Sequence, residues 1–260
     1  REYDAAVAKM ASPPDLTRPG AVEETDWAAR KSPEWAESAD YVDQVYEALK
    51  QHGFTDKTMI DPAFGRWSEA QTVEGDREAF RRLREFRGLG RPMLVSINRK
   101  TFLRTLAGRD TEQALSVSLA ATSMAIERGA HVIRTHDVAE TRDAARIGDA
   151  FTPERGREDA IGVEQLDVRT VGDARRHLER IEADASVSED AVTHVFEVRG
   201  LSAADSQRLG AAAEACGAAL GRGESGDLLV GTPAALSALE GDLADDDTLG
   251  PVVSAVADEI

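Results

Sequence analysis

The sequence predicts an α/β protein in which repeated strand-helix units of a parallel sheet or barrel are followed by a second, smaller α/β domain. Three observations carry that reading. Four apolar, strand-like runs recur at a spacing of roughly 35 to 50 residues, each followed by a polar turn and an amphipathic stretch. Each of the last three runs ends in charged or hydrogen-bonding residues, as strands do where they open onto a functional mouth. After Phe151 the composition shifts to "TPERGREDAIG", a charged stretch with Pro153, Gly156 and Gly162, and a new series of strand-like runs begins. The 260 residues suffice for one barrel or for two ordinary domains.

The first run is "YDAAVAKM" at 3–10. Helical periodicity follows at 38–52, where Tyr41, Val45, Ala48 and Leu49 share a face. The second run, "KTMIDP" at 57–62, precedes a helix expected over 76–87, with Phe80, Leu83 and Phe86 on its apolar side. After "RPMLVSI" at 91–97 the next helix is expected over 111–129, with Asp110 and Gln113 as its start signal and Gly129 as its stop. The fourth run is "AHVIRT" at 130–135, and Asp137 with Glu140 forms a similar capping pair before "TRDAARIGDAF". Repetition of this order implies parallel strands joined by right-handed crossovers. Residues 151–162 read as a linker between a first domain, 1–150, and a small α/β domain, 163–260. In the latter, "VEQLDVRT", "THVFEVRG" and "DLLVGT" are expected strands, and the clearest helix is 203–220, with Leu209, Ala212, Ala213 and Cys216. His177 and His194 have no companion ligands there, which favours structural histidines over a metal site.

Residues 131–138, "HVIRTHDV", show the strand-end pattern most sharply. Val132 and Ile133 suit a short buried strand, whereas Arg134, Thr135, His136 and Asp137 carry charges and donors that a dry core would not hold unpaired. Arg134 and His136 are two apart, so an extended strand points both the same way, and together they suit a phosphate or pyrophosphate. Asp61 in "DPAFGRWSE", flanked by Pro62 and near Gly65, can accept two hydrogen bonds from an amino-heterocycle. In "INRKTFL", Asn98 and Arg99 precede Lys100 and Thr101 at a helix start, a position suited to a carboxylate or another oxygen. Taken singly, these residues have plain structural explanations: a turn-forming Asp before Pro, a solvated Arg99–Lys100 pair, and partners for Asp137 or Glu140. Gathered at three successive strand ends, they read as an anion-binding site with one acid at its floor.

Lys plus Arg total 31 against 48 for Asp plus Glu, a net charge of -17, which argues against a nucleic-acid or anionic-membrane partner. The only lysines are Lys9, Lys31, Lys50, Lys57 and Lys100. This acid-rich, lysine-poor composition resembles that of proteins from salt-loving archaea; in molar salt the repulsion is screened within about 3 Å. Cys216 is alone, which excludes an internal disulfide and fits a reducing interior. With no apolar run of about 18 residues and no signal-like N-terminus, a soluble, cytoplasmic protein is expected. The absence of an initiator Met before Arg1 leads to the expectation of a processed chain or a fragment.

The order "DPAFG", then "INRK" after a strand, then "RTHDV" resembles the C-terminal half of the dihydropteroate synthases, the pterin-binding barrels of folate synthesis. There the strand endings usually read "DPGxGF", "GxSRKS" and "RVHDV", and the resemblance covers residues 1 to about 150. The family motif beginning Met-His falls at Met10, with Ala11 in place of the histidine. Ala63 stands for a glycine, Arg66 for a phenylalanine, Ser96 for a glycine and Asn98 for a serine, so the pocket walls depart more than the charged groups do. The resemblance implies strands five to eight of a TIM (β/α)8 barrel. It also implies condensation of 6-hydroxymethyl-7,8-dihydropterin diphosphate with 4-aminobenzoate, releasing diphosphate with Mg2+ assistance. By that likeness Asp61 grips the pterin's amino and ring nitrogens beside Gly65, and Met10 packs on the ring. Lys100 meets the pterin carbonyl, Arg134 covers the ring and meets phosphate, and His136 binds the leaving diphosphate. Thr101, replacing a serine, holds the aminobenzoate carboxylate with Arg99. No metal ligand is assigned within this chain, and a homodimer is expected of the complete protein. "DLTRPGA" at 15–21 echoes the family's "ESTRPGA" loop, but it lies only about one strand-helix unit before Asp61 and is read as chance. Two other readings keep the pterin and drop the condensation: a non-catalytic pterin-binding paralogue acting through its C-terminal domain, and a methyl-pterin methyltransferase.

Overall fold

The computed structural model describes residues 7–10, 39–50, 54–65, 71–153, 157–158 and 163–260. The "DLTRPGA" stretch and Arg66 lie outside the described residues. The chain divides into two compact units, Arg1–Leu166 and Asp167–Ile260.

In the first unit β1 (Val7–Met10), β2 (Thr58–Asp61), β3 (Leu94–Val95) and β4 (Val132–Ile133) run parallel, each beside the next in sequence. β1 pairs with β2 from Val7↔Thr58 to Met10↔Asp61. A parallel bridge between Ile60 and Met93 joins β2 to the β3 segment. β3 and β4 pair through Leu94↔Val132 and Val95↔Ile133, and the Arg134 amide prolongs that ladder by donating to the Val95 carbonyl at 3.0 Å. Parallel neighbours need crossovers, and helices supply them. These are α1 (Tyr41–Lys50), α2 (Val73–Arg81) with a 3-10 helix (Leu83–Leu89), and α3 (Thr101–Ala107) with α4 (Leu115–Glu127). A last helix, α5 (Val138–Ala150), follows β4.

The apolar spacing explains the packing. Val42, Val45, Tyr46 and Leu49 of α1 are buried with Ile60, Met93 and Val95 of the strand segments. Phe64, Phe80 and Phe102 form a triangle with ring centroids 5.7–5.9 Å apart, directly behind the chain that follows β2. Each such fully buried side chain contributes about 2 kcal/mol.

Helix boundaries shift from those that periodicity predicts, for local reasons. The helix expected over 76–87 starts at Val73 because the Thr72 hydroxyl accepts from the Gly75 amide at 3.0 Å. It stops at Arg81 and continues as the 3-10 helix, with the buried Arg82 guanidinium paired to Asp40, Asp43 and Glu85. The helix expected over 111–129 begins at Leu115. Asp110 does accept from the Gln113 amide at 2.8 Å, but this closes a turn, and Thr111 gives its carbonyl to Arg99 at 3.0 Å, which competes with extension of the helix. Asp137 is the N-cap of α5 by position and makes no side-chain cap, because its carboxylate is turned the other way.

The expected linker 151–162 contributes β5 (Arg157–Glu158), which pairs antiparallel with β6 (Val163–Glu164), so the division of the chain falls after Leu166. The second unit opens with α6 (Val171–Arg180), held by a capping box between Thr170 and Asp173, and a 3-10 helix (Ala185–Asp190). Then come β7 (His194–Val198), α7 (Ala203–Ala215), β8 (Ala219–Arg222), β9 (Asp227–Gly231), α8 (Pro233–Leu243) and α9 (Gly250–Ala257). Its sheet has the order β7-β9-β8 and is antiparallel throughout. β8 interrupts the helix expected over 203–220: Gly217 adopts φ 81, the left-handed conformation that ends α7. Leu209, Leu229, Leu236, Leu239 and Val253 form this unit's core. Among the described residues no helix is long and apolar enough to cross a membrane.

Candidate active site

Asp61 ends β2 and is only 4% exposed. Its Oδ1 accepts from the Ala63 amide at 2.8 Å, bending the chain after Pro62. The bend continues through left-handed residues, Ala63 at φ 63 and Gly65 at φ 111. For an alanine this conformation costs roughly 1–2 kcal/mol, so neighbours must impose it. They do so through Gln71, whose Nε2 donates to the Ala63 carbonyl at 2.7 Å and to Asp76 Oδ1 at 2.8 Å. Gly65 donates its amide to Asp76 Oδ2 at 3.1 Å. Between them the Phe64 ring is fixed in the aromatic triangle, and the Phe64 carbonyl accepts from Lys100 Nζ at 2.5 Å.

Lys100 reaches this carbonyl because the chain after β3 makes its own left-handed turn. Arg99 has φ 51, and its amide donates to the Ser118 hydroxyl at 2.8 Å. The turn leaves Lys100 at the N-cap of α3, with Thr101 opening the helix. Burial pushes the Lys100 ammonium below the usual lysine range, Asp61 and Asp76 oppose that, and Arg134 adds to it. These four charges from four segments therefore share one field. Burial likewise pushes the Asp76 carboxyl up, against hydrogen bonds from Gln71 and Gly65 and the charge of Lys100.

At the end of β4, Arg134 and His136 stand exposed, with Arg134 Nη1 3.5 Å from the Ser96 hydroxyl. Asp137 next to them ties two loops together. Its Oδ2 accepts from Asn98 Nδ2 at 2.8 Å, from Arg99 Nη2 at 3.2 Å and from Arg99 Nε at 3.3 Å, and its Oδ1 accepts from Arg99 Nη2 at 3.1 Å. The Asn98 amide, and then the Arg99 guanidinium, hold the Asp137 carboxyl below the usual range. Charge-assisted bonds of this kind outcompete a helix cap, which explains the missing cap on α5. Arg99, expected beside Thr101 as an aminobenzoate contact, donates from its guanidinium to Asp137 and to the Thr111 carbonyl. Thr101 lies half-buried and accepts from Arg104 Nη2 at 3.2 Å. Met10 sits opposite Asp61 in the β1–β2 register.

A model of the pterin binding enzyme family matches residues 1–136. The chain belongs to that family. Asp61, Gly65, Lys100, Arg134 and His136 all fall within the matched residues. Dihydropteroate synthase of Escherichia coli strain K12 is 32% identical over 110 residues, which are 42% of this chain and 38% of that protein. Dihydropteroate synthase type-1 of Pseudomonas aeruginosa is 31% identical over 113 residues, 43% of this chain and 40% of that one. Among solved structures, a dihydropteroate synthase in complex with pteroic acid from Coxiella burnetii is 28% identical with a TM-score of 0.42, covering 56% of this chain and 50% of that one. The chain thus spans about two fifths of the length of these two curated relatives.

Sequence reasoning missed Gln71, Asp76 and Ser118, which read as ordinary polar residues of helix starts and faces. Among the described residues there is no group of three or more His, Cys, Asp or Glu side chains that could hold a metal ion.

Proposed function

We propose that this chain forms strands five to eight of a (β/α)8 barrel and the pterin-handling side of a dihydropteroate synthase in folate synthesis. The observation that carries the reading is that Asp61, Lys100 and Arg134 lie on the chain leaving three successive parallel strands, with Lys100 reaching the Phe64 carbonyl beyond Asp61, inside the family match. A buried carboxylate at the floor suits the amino and ring N–H groups of a pterin. An ammonium of lowered basicity suits its carbonyl, and exposed Arg134 and His136 suit the diphosphate. The amine of 4-aminobenzoate attacks the exocyclic methylene, the carbon–oxygen bond breaks, and its electron pair leaves with diphosphate while the nitrogen gives up a proton. Arg134 and His136 stabilise the charge that builds on the departing oxygen, where stabilisation lowers the barrier most. Thr101 and the N-terminus of α3 take the aminobenzoate carboxylate, and Met10 the ring face. The magnesium implied by the resemblance enters no step assigned to these residues.

The preceding strands of such a barrel would complete the pterin pocket, and the complete protein is expected to be a cytoplasmic homodimer. The test is diphosphate release that depends on both substrates, with the chain alone and with the first four barrel strands supplied as a second polypeptide. Release only in the complemented sample supports the reading. Pterin binding without release in that sample would transfer support to a non-catalytic pterin-binding paralogue.

A further inference from the structure

We propose that Asp76 is a positioning residue of this site, which clamps the 63–65 loop and stands as a second counter-charge to Lys100; its bearing on catalysis rests on the function proposed above. An acid in the first turn of a helix ordinarily faces solvent and the helix dipole. Asp76 is 1% exposed and points inward. Both its oxygens are engaged, one by Gln71 Nε2 at 2.8 Å and the other by the Gly65 amide at 3.1 Å. Gln71, itself 2% exposed, carries the clamp on to the Ala63 carbonyl at 2.7 Å. A left-handed residue is thereby held on each side of Phe64, and the carbonyl between them receives Lys100.

The charged and titratable neighbours are few and come from every element around the pair. Lys100 faces Asp61 from β2, Asp76 from α2 and Arg134 from β4. Asp76 faces Lys100 and, from α1, the Tyr41 phenol, which burial first and Asp76 second push up. Tyr41 packs so closely on the adjoining residue that a Cβ on Gly75 would lie 3.0 Å from its ring. An amide cannot replace the carboxylate without loss. Asn has one acceptor oxygen, and here two donors point at residue 76, so one hydrogen bond must fail.

The decisive measurement is the titration midpoint of Lys100 in the intact chain, read by NMR after 13C-dimethyl labelling and assigned by its loss in Lys100→Arg. Asp76→Asn removes a negative charge and leaves the surroundings buried, so the midpoint should fall by about one pH unit. Asp76→Glu should bring it back. If Asp76 served only to support the loop, its loss would admit water, and the midpoint would rise toward that of an ordinary lysine. A rise, or no change, overturns the proposal. Gln71→Ala keeps the charge and cuts the tether, so its midpoint should stay at or above the wild-type value; a fall as large as that in Asp76→Asn would also overturn it. Should the amide variant not fold, Asp76→Ser repeats the measurement. None of these readings needs a pterin, so failure of the protein to bind pterin would sink the functional reading and leave this one untouched.

Discussion

In the first unit the strands run parallel, so the ends of β2, β3 and β4 face one way, and Asp61, Lys100 and Arg134 meet there. In the second unit β9 runs against both its neighbours, so strand ends leave by opposite edges and their charges are settled locally: Arg199, just past β7, pairs with Glu197 of that strand at 2.5 Å. The two units draw on similar short strands and amphipathic helices. Strand direction decides where charge converges, and a mouth with a collective field arises only where directions agree.

The largest expected effect would break this comparison if it failed to appear. On the function proposed above, with the first four barrel strands supplied, Lys100→Ala and His136→Ala should each lower turnover by about a hundredfold or more with circular dichroism unchanged, because both sit at the polar mouth. Near-native turnover in both would remove the strand ends from the site. Next comes the stability of the first unit. Arg82→Ala leaves Glu85, 2% exposed, buried beside Asp40 and Asp43 without its cation, and should cost about 3–5 kcal/mol in denaturant unfolding. The second unit has its own core, and Leu229→Ala there should cost about 2–5 kcal/mol. That loss should appear in one unfolding transition and leave the pterin-side transition in place; a common shift of both would mean that the units do not fold separately.

A gentler sharpening is salt. With a net charge of -17, the melting temperature should rise between low salt and molar KCl, and a flat or falling trend contradicts the halophilic reading of the composition. The smallest effect is local to the site. Ala63→Gly relieves a left-handed alanine and should stabilise the first unit by up to about 1 kcal/mol, the gain being offset by the greater freedom of glycine when unfolded. Destabilisation instead would show that the methyl packs where the backbone alone predicts strain.

Legibility follows the same division. Asp61, Lys100 and Arg134 can be read from the sequence because each ends or closely follows an apolar run, and a parallel arrangement gives their positions one meaning. Gln71 and Asp76 cannot, because a Gln before a Thr cap and an Asp in a first helical turn are ordinary surface choices; only the inward turn of their side chains makes them part of the site. Asp137 is legible as a cap and acts as a tie, since the arginine that claims it comes from a loop 38 residues earlier. β8 is hidden in Ala-Leu-Gly-Arg, which has no β-branched or aromatic residue to announce a strand, and its existence depends on Gly217 ending α7.

Arg134 and His136 stand in solvent at the end of β4, which makes them the first part of the mouth that an incoming anion meets. Such an anion must cross a repulsive field set by a chain of charge -17 before it feels the Arg134 guanidinium and the His136 imidazole at close range. Added salt collapses the long-range repulsion, over a screening distance that shrinks from about 10 Å at 0.1 M to about 3 Å at 1 M, while the contact itself weakens less. Encounter with a diphosphate ester should therefore quicken with ionic strength, the reverse of ordinary steering toward a basic site. Salt that raised the melting temperature would then also open the approach to these two side chains.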